Sequence, residues 1–341
     1  MRAHNLVILA AVCAVMAACS SAPKAKTEFF EVRNKAAEFA KLGDGFMATA
    51  QYPEAAKYYD QALRANSSVD YLEGVSASHS SLGRVYLATG DLAAAETEFG
   101  SARAYALMAT SPTAEAAAVT GQGELRYAKG EKEAALALFD QALALAAKDE
   151  PRLAIALHDA AVAKNGLGRS AEAMADLERA AGINTRLKRW TELGANRYVM
   201  ASILAAGGKV DQALSTALLA LAADKAAENG RGIAGDLAAC ASLASRLGRN
   251  DEAWSYWLRS FDTAIATGDA AAARRALVSL VGLAGPVGKP EEGLRYEALL
   301  RKLDRAGAAG SAGAGAGASG PGAGAAKPGS APVPGPAPGA P

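Results

Sequence analysis

Few side chains in this chain could do chemistry. Its three cysteines (Cys13, Cys19, Cys240) and three histidines (His4, His79, His158) are scattered, and no Cys or His pair has zinc-site spacing. Neither H-E-x-x-H nor G-x-S-x-G occurs. Gly230-Arg231-Gly232-Ile233-Ala234-Gly235 matches the dinucleotide pattern G-x-G-x-x-G, which needs a strand before it and a helix after. The residues before it (ALLALAADKAAEN) have a helical composition, so the glycines read as a turn between helices. Acid–base catalysis would need a carboxylate beside an imidazole, and Glu124 with His158 is the best pairing on offer. Other carboxylates sit in mixed-charge stretches such as Glu131-Lys132-Glu133, which read as solvated turns. The sequence assigns no catalytic set, no metal and no cofactor.

The elements that carry these residues are small and numerous. Half of the chain is apolar but only 6% is aromatic, which favours stacked alanine-rich helices over one aromatic core. The formal charge is +1 with no basic face, which argues against a nucleic-acid partner. The start has the parts of an export signal: Arg2, an apolar run from Leu6 to Met16, then small residues. The run is too short to span a bilayer, which takes about 20 apolar residues in a helix.

Met16-Ala17-Ala18-Cys19 closes that run, with Ser20-Ser21 after it. It resembles the lipobox of bacterial lipoproteins, with methionine where leucine is commoner. The resemblance implies removal of residues 1–18 and acylation of Cys19, which would become the lipid anchor. Several acyl chains anchor stably where one does not. Ser20, in place of an aspartate retention signal, implies the outer membrane, facing the periplasm. The alternative is an ordinary secretory leader. With Cys19 acylated, Cys240 has no partner for an internal disulfide, and its apolar setting (DLAACASLA) reads as core.

Self-similarity is the strongest signal. Gly90, Gly130, Gly168, Gly208, Gly248 and Gly288 are spaced 40, 38, 40, 40 and 40 apart, each between two helical patterns. Five residues after each stands Ala95, Ala135, Ala173, Ala213, Ala253 or Gly293. One more unit upstream has Ala50 and Ala55, giving seven units that begin near Ala36, Ser76, Ala116, Ala154, Gly194, Ala234 and Arg274. The glycines suit a φ > 0 turn. Asp91 and Asn250 are expected to cap second helices, and Ser111-Pro112 to start a first helix.

Phe39, Leu42, Gly43, Phe46, Ala55, Tyr59 and Ala62 in the first unit recur as Leu82, Gly83, Tyr86, Gly90, Ala95, Phe99 and Ala102 in the second. Gly123, Gly130, Ala135, Phe139 and Ala142 follow in the third. This pattern resembles the tetratricopeptide repeat over residues 34–305, with a period longer than the usual ~34. The resemblance implies an all-α, right-handed superhelical solenoid of about seven helix pairs, with the small residues where helices cross. It also implies a concave wall from the first helices. Matched by position, the wall comprises Asp44, Met47, Arg84, Leu87, Glu124, Tyr127, His158, Asn165, Tyr198, Ser202 and Arg246, with no recognisable carboxylate clamp.

The later units drift: the small position becomes Ala161, Ala201, Ala241 and Val281, and the second-helix aromatic becomes Leu177, Ala217, Trp257 and Glu297. Glu291 to Arg305 reads as a charged end cap. Residues 19–33 are expected to form the lipidated tether. Residues 306–341, poor in anything but Ala, Gly, Ser and Pro, are expected to be a disordered tail. The functional expectation is a non-catalytic scaffold for envelope proteins, tethered to the membrane through its lipid. A groove-based ligand or peptide sensor and a cell-wall hydrolase are the alternatives.

Overall fold

The computed structural model describes residues 25–314, with side chains from 29 to 305. Cys19, the leader and residues 315–341 lie outside the described residues.

Among the described residues, fourteen helices form seven antiparallel pairs. They are α1 (Ala25–Ala48) with α2 (Tyr52–Ser68), α3 (Leu72–Thr89) with α4 (Leu92–Met108), and α5 (Pro112–Ala128) with α6 (Lys132–Leu145). The array continues with α7 (Glu150–Gly166) and α8 (Ser170–Arg186), then α9 (Trp190–Ala206) and α10 (Val210–Ala226). It closes with α11 (Gly230–Arg246) and α12 (Asn250–Ala266), then α13 (Ala270–Ala284) and α14 (Pro290–Ala314). No strand occurs among the described residues. The last helix runs nine residues past Arg305, into the stretch that the sequence assigns to the tail. At the other end α1 begins at Ala25, inside the expected tether.

Each repeating glycine occupies the left-handed region, from Gly90 (φ 84°) to Gly288 (φ 70°). These turns end the first helices. The turns between units use the same conformation without glycine, at Asp70, Thr110, Lys188 and Glu228, with Gly268 the exception. The α6–α7 junction lacks such a residue. There the period drops to 38, α6 stops at Leu145, and an open cleft of about 850 Å³ lies among Pro112, Thr113, Leu145, Lys148, Glu150 and Pro151.

Side-chain caps favour the first helices. Ser111, Asp149, Asn229 and Asp269 each accept a backbone N–H of the following helix. Among second helices Asp91 does so, from Ala94 N at 3.0 Å. Asn250 does not: it is the first residue of α12, and Arg249 stands at the cap position without a side-chain bond.

Within a unit the helices cross at the small residues. A Cβ on Gly83 would lie 2.7–3.0 Å from the Phe99 ring, and one on Gly123 would lie 2.5–3.0 Å from Phe139. Tyr59 covers Gly43 in the same way. The aromatic ring therefore fills the volume that the absent side chain leaves. In two of the units where the first-helix residue is alanine, the partner shrinks, to Leu177 opposite Ala161 and Ala217 opposite Ala201. Leu214, Cys240 and Leu243 complete the packing around Ala217.

Between units, successive first helices pack on one another at every junction, and each second helix but the last packs against the first helices on either side. Such an arrangement draws the first helices together and places them on the inner side of the curved array.

Gly123→Ala should destabilise the chain by roughly 1–3 kcal/mol, the usual range for overpacking. Gly100 on α4 has open space around its Cβ position, so Gly100→Ala should instead stabilise by about 0.5–1 kcal/mol. Thermal or urea unfolding of the two variants separates the close-crossing role from simple helix propensity.

Candidate functional site: the first-helix wall

Asp44, Arg84 and Glu124 stand 40 residues apart in one register, on α1, α3 and α5. The Arg84 guanidinium donates to both Glu124 oxygens, with Nε at 3.3 and 3.1 Å and Nη2 at 3.2 Å. This charge-assisted, two-oxygen contact ties adjacent units. Glu124 also holds the Arg84 guanidinium above its ordinary range, against a burial penalty. The Tyr59 hydroxyl donates to Asp44 Oδ1 at 2.7 Å, and burial raises its phenol, with the Asp44 bond adding.

Asp159 on α7 joins this group. Burial pushes its carboxyl well above the usual range, Glu124 adds to that, and Arg84 opposes it. Its Oδ2 is buried with no hydrogen-bond partner. Arg152, one face-repeat earlier on α7, is pulled down by burial and by Arg84. The inner wall of the first four units is thus an alternating charge cluster in a partly dry setting.

The next stretch is neutral. Asn184 Nδ2 donates to Asn196 Oδ1 at 2.8 Å, and Asn196 Nδ2 donates to His158 Nδ1 at 3.0 Å. Burial pushes the His158 imidazole down to about 4, so it is uncharged at neutral pH. Accepting at Nδ1 places its proton on Nε2. Glu124 is engaged by Arg84 and His158 by Asn196, and no hydrogen bond joins Glu124 to His158. The carboxylate–imidazole pairing considered from the sequence is not assembled.

The remaining expected wall residues do different work. Tyr127 packs on the cluster of Ala135, Phe139, Ala160 and Ala163. Tyr198 is half-buried, and burial raises its phenol. Asn165 accepts the Ser170 hydroxyl at 2.9 Å across the α7–α8 turn. Arg246 Nη2 donates to the Ala205 carbonyl at 2.9 Å, capping the end of α9. Met47 and Leu87 pack into the clusters around Tyr59 and Phe99, and Ser202 is partly buried. His79, by contrast, faces its own unit: its Nδ1 lies 2.7 Å from Glu98 Oε2 and its ring stacks on Tyr105.

Two contributors went unselected in the sequence. Asp159 occupies the register of Gly121, Val199 and Ala239, so an acid in a small or apolar slot was the available signal. Asn196 is fully buried and bonded on both sides, which only its register relative to Asn184 could have disclosed. The G-x-G-x-x-G stretch follows helix α10, not a strand, and its glycines are not the turn expected from the sequence: they form the first turns of α11, capped by Asn229. Gly232 leaves room for the Asp224 carboxyl and Asn229, and Gly230 for Thr267. No group of three or more metal-ligating side chains gathers among the described residues.

No family model and no curated protein matches the chain. Among solved structures, the apo form of RapI is similar, with a TM-score of 0.60 and 13% identity over 80% of this chain and 76% of that one. A Rap protein complexed with competence and sporulation factor aligns with a TM-score of 0.58 and 15% identity, over 78% and 74% of the two chains. A signal transduction ATPase with a tetratricopeptide repeat sensor, from Pyrococcus horikoshii, aligns at 0.54 and 15% identity. It covers 82% of this chain but only 45% of the ATPase. The chain has a tetratricopeptide-like repeat fold. At these identities the likeness speaks to the fold alone, and it agrees with the seven-unit register.

His158 makes the tetratricopeptide-like wall sensitive to acid. Its folded value of about 4 lies below the ordinary value near 6.5. The unfolded chain therefore binds the extra proton first, and stability falls as pH drops from about 6.5 to 4. His158→Gln, which keeps an acceptor for Asn196, should remove that part of the slope, on the order of 2–3 kcal/mol at pH 4. Urea unfolding of both proteins at pH 7 and pH 4.5 checks it; equal slopes would contradict the assignment.

Proposed function

We propose that this chain is a non-catalytic binding scaffold, held at a bacterial envelope membrane by lipid on Cys19, whose first-helix wall receives a segment of a partner protein. The observation that carries the reading is the Arg84–Glu124 ladder with Asp159 and Arg152 beside it. Charges from three successive units converge on one face, which suits an extended or helical segment laid along the array. A tetratricopeptide-like structure with a factor bound, the Rap complex, supports the idea that this architecture holds ligands. The absence of an assembled Glu124–His158 pair favours binding over hydrolysis.

The envelope part of the reading rests on Met16-Ala17-Ala18-Cys19 and the apolar run before it. We place the chain on the outer membrane, facing the periplasm, on the strength of Ser20. The Cys19→Ala variant should shift from the membrane pellet to the soluble fraction, and unchanged retention would refute the anchor.

The wall is tested by exchanging its charges. Arg84→Glu with Glu124→Arg preserves the pair and the fold while inverting the charges a partner meets. Proteins crosslinked to the wild-type chain in cells should be lost from the double variant, whose helical circular-dichroism signal should match that of the wild type. Capture of the same proteins by both would place the binding surface elsewhere. A small-ligand sensor would show no protein capture from either, and a ligand-dependent rise in melting temperature instead.

A further inference from the structure

The junctions between units carry a second repeating device. At five of the six junctions a buried residue in the last turn of a second helix is matched by a buried one twelve positions later on the next first helix. In two junctions the pair is alanine: Ala106 with Ala118, and Ala264 with Ala276, all fully buried. In two others it is a neutral, hydrogen-bonded pair. Asn66 Nδ2 donates to Ser78 Oγ at 3.3 Å, and Asn184 Nδ2 donates to Asn196 Oδ1 at 2.8 Å. At the α10–α11 junction the same two positions are Asp224 and Asp236.

Both acids are buried, at 4% and 2% exposure, and their carboxyls lie within hydrogen-bonding reach of each other. Asp224 also accepts Asn229 Nδ2 at 2.9 Å. Gly232 and Gly194 leave the space it occupies: a Cβ on Gly194 would lie 2.9–3.0 Å from the carboxyl. Among the described residues no lysine or arginine pairs with either acid. The charged or titratable groups near the pair are Tyr198 from α9 and Cys240 from α11. Beyond them, Arg259 and Glu252 of α12 face Cys240, and Arg275 of α13 faces Tyr198. Two carboxylates without a counter-ion cannot share a dry site, so one must keep a proton and donate it to the other. Asp236 Oδ2 has no partner of its own.

We propose that the α10–α11 junction is held by this shared proton, so that alkaline pH releases the last two helix pairs from the five before them. Each unit touches only its neighbours, so the loss of one junction need not unfold the array. Burial and the Asp224 charge push Asp236 up to about 9, against an ordinary carboxyl near 3.9. The closed junction thus binds a proton that the open one releases between about pH 4 and pH 9. The junction is firmest at the acid end and weakens as pH rises toward 9.

The test is amide hydrogen exchange on the full chain at pH 6.5, 7.5 and 8.5, with times scaled for intrinsic exchange. In the wild type, opening of α11 and α12 should increase about tenfold per pH unit while α3 and α4 stay level. Asp236→Asn should flatten the dependence. If that variant fails to fold, Asp224→Asn with Asp236→Asn, which copies the Asn184–Asn196 pair, carries the comparison. A level response in wild-type α11 and α12, the same slope in the variants, or an equal slope in α3 and α4 would each overturn the proposal.

Discussion

The whole array depends on how closely the two helices of a unit can cross. Gly43, Gly83 and Gly123 let the rings of Tyr59, Phe99 and Phe139 lie flat against a bare backbone. Phe99 also sits against Gly121 of the next first helix, so a single ring joins two units. Alanine at the same place forces a smaller or differently placed partner, as with Leu177 and Ala217. At the next unit the indole of Trp257 shares a cluster with Ala241, Trp254, Ala276 and Leu280. Fixing that crossing fixes the angle between successive pairs, and the angle, repeated, sets the curvature that lines up the first helices. A chain this poor in aromatics packs tightly because its few rings stand where glycine makes room for them.

Lateral cohesion comes from a different set of contacts. Ion pairs such as Arg186–Glu150 and Arg249–Asp211 run along the exposed edges, where each contributes little. The buried twelve-residue pairs and the Arg84–Glu124 contact matter more, because leaving one partner unsatisfied in a dry junction carries the desolvation penalty of a polar group. Stability is therefore not uniform. The alanine junctions depend on packing alone, the two asparagine junctions on hydrogen bonds, and the aspartate junction, on the reading proposed above, on a proton. The α6–α7 junction, two residues short and lacking a left-handed turn residue, is the one break in the periodicity.

The parts of this architecture that rest on glycine were legible in the sequence. Six of the seven turns after first helices announce themselves because only glycine takes φ > 0 freely, the first turning at Ala50 instead. The turns between units escaped notice because Asp70, Thr110, Lys188 and Glu228 adopt the same conformation with ordinary side chains. Asn250 was misplaced by one residue for a related reason: the cap position after Gly248 is Arg249, a residue with no capping preference. The wall residues were legible as positions but not as partners. Arg84 and Glu124 sit 40 apart and do meet, whereas His158, one turn before the Glu124 register on α7, bonds Asn196 of the next unit instead. Contacts that depend on register between units leave no local signature, so the Asp224–Asp236 pair emerges only in three dimensions.

The central claim is that the inner face of the first helices receives the partner. Photoactivatable residues at Ala77 and Ala195 test it most directly, since both are exposed and share the register of the α3 and α9 inner face. Thr97 and Ser215, exposed at matching positions on α4 and α10, are the controls. The account predicts that irradiation in cells captures one common partner from positions 77 and 195 and none from 97 and 215. Capture from 97 and 215 with nothing from 77 and 195 would contradict it.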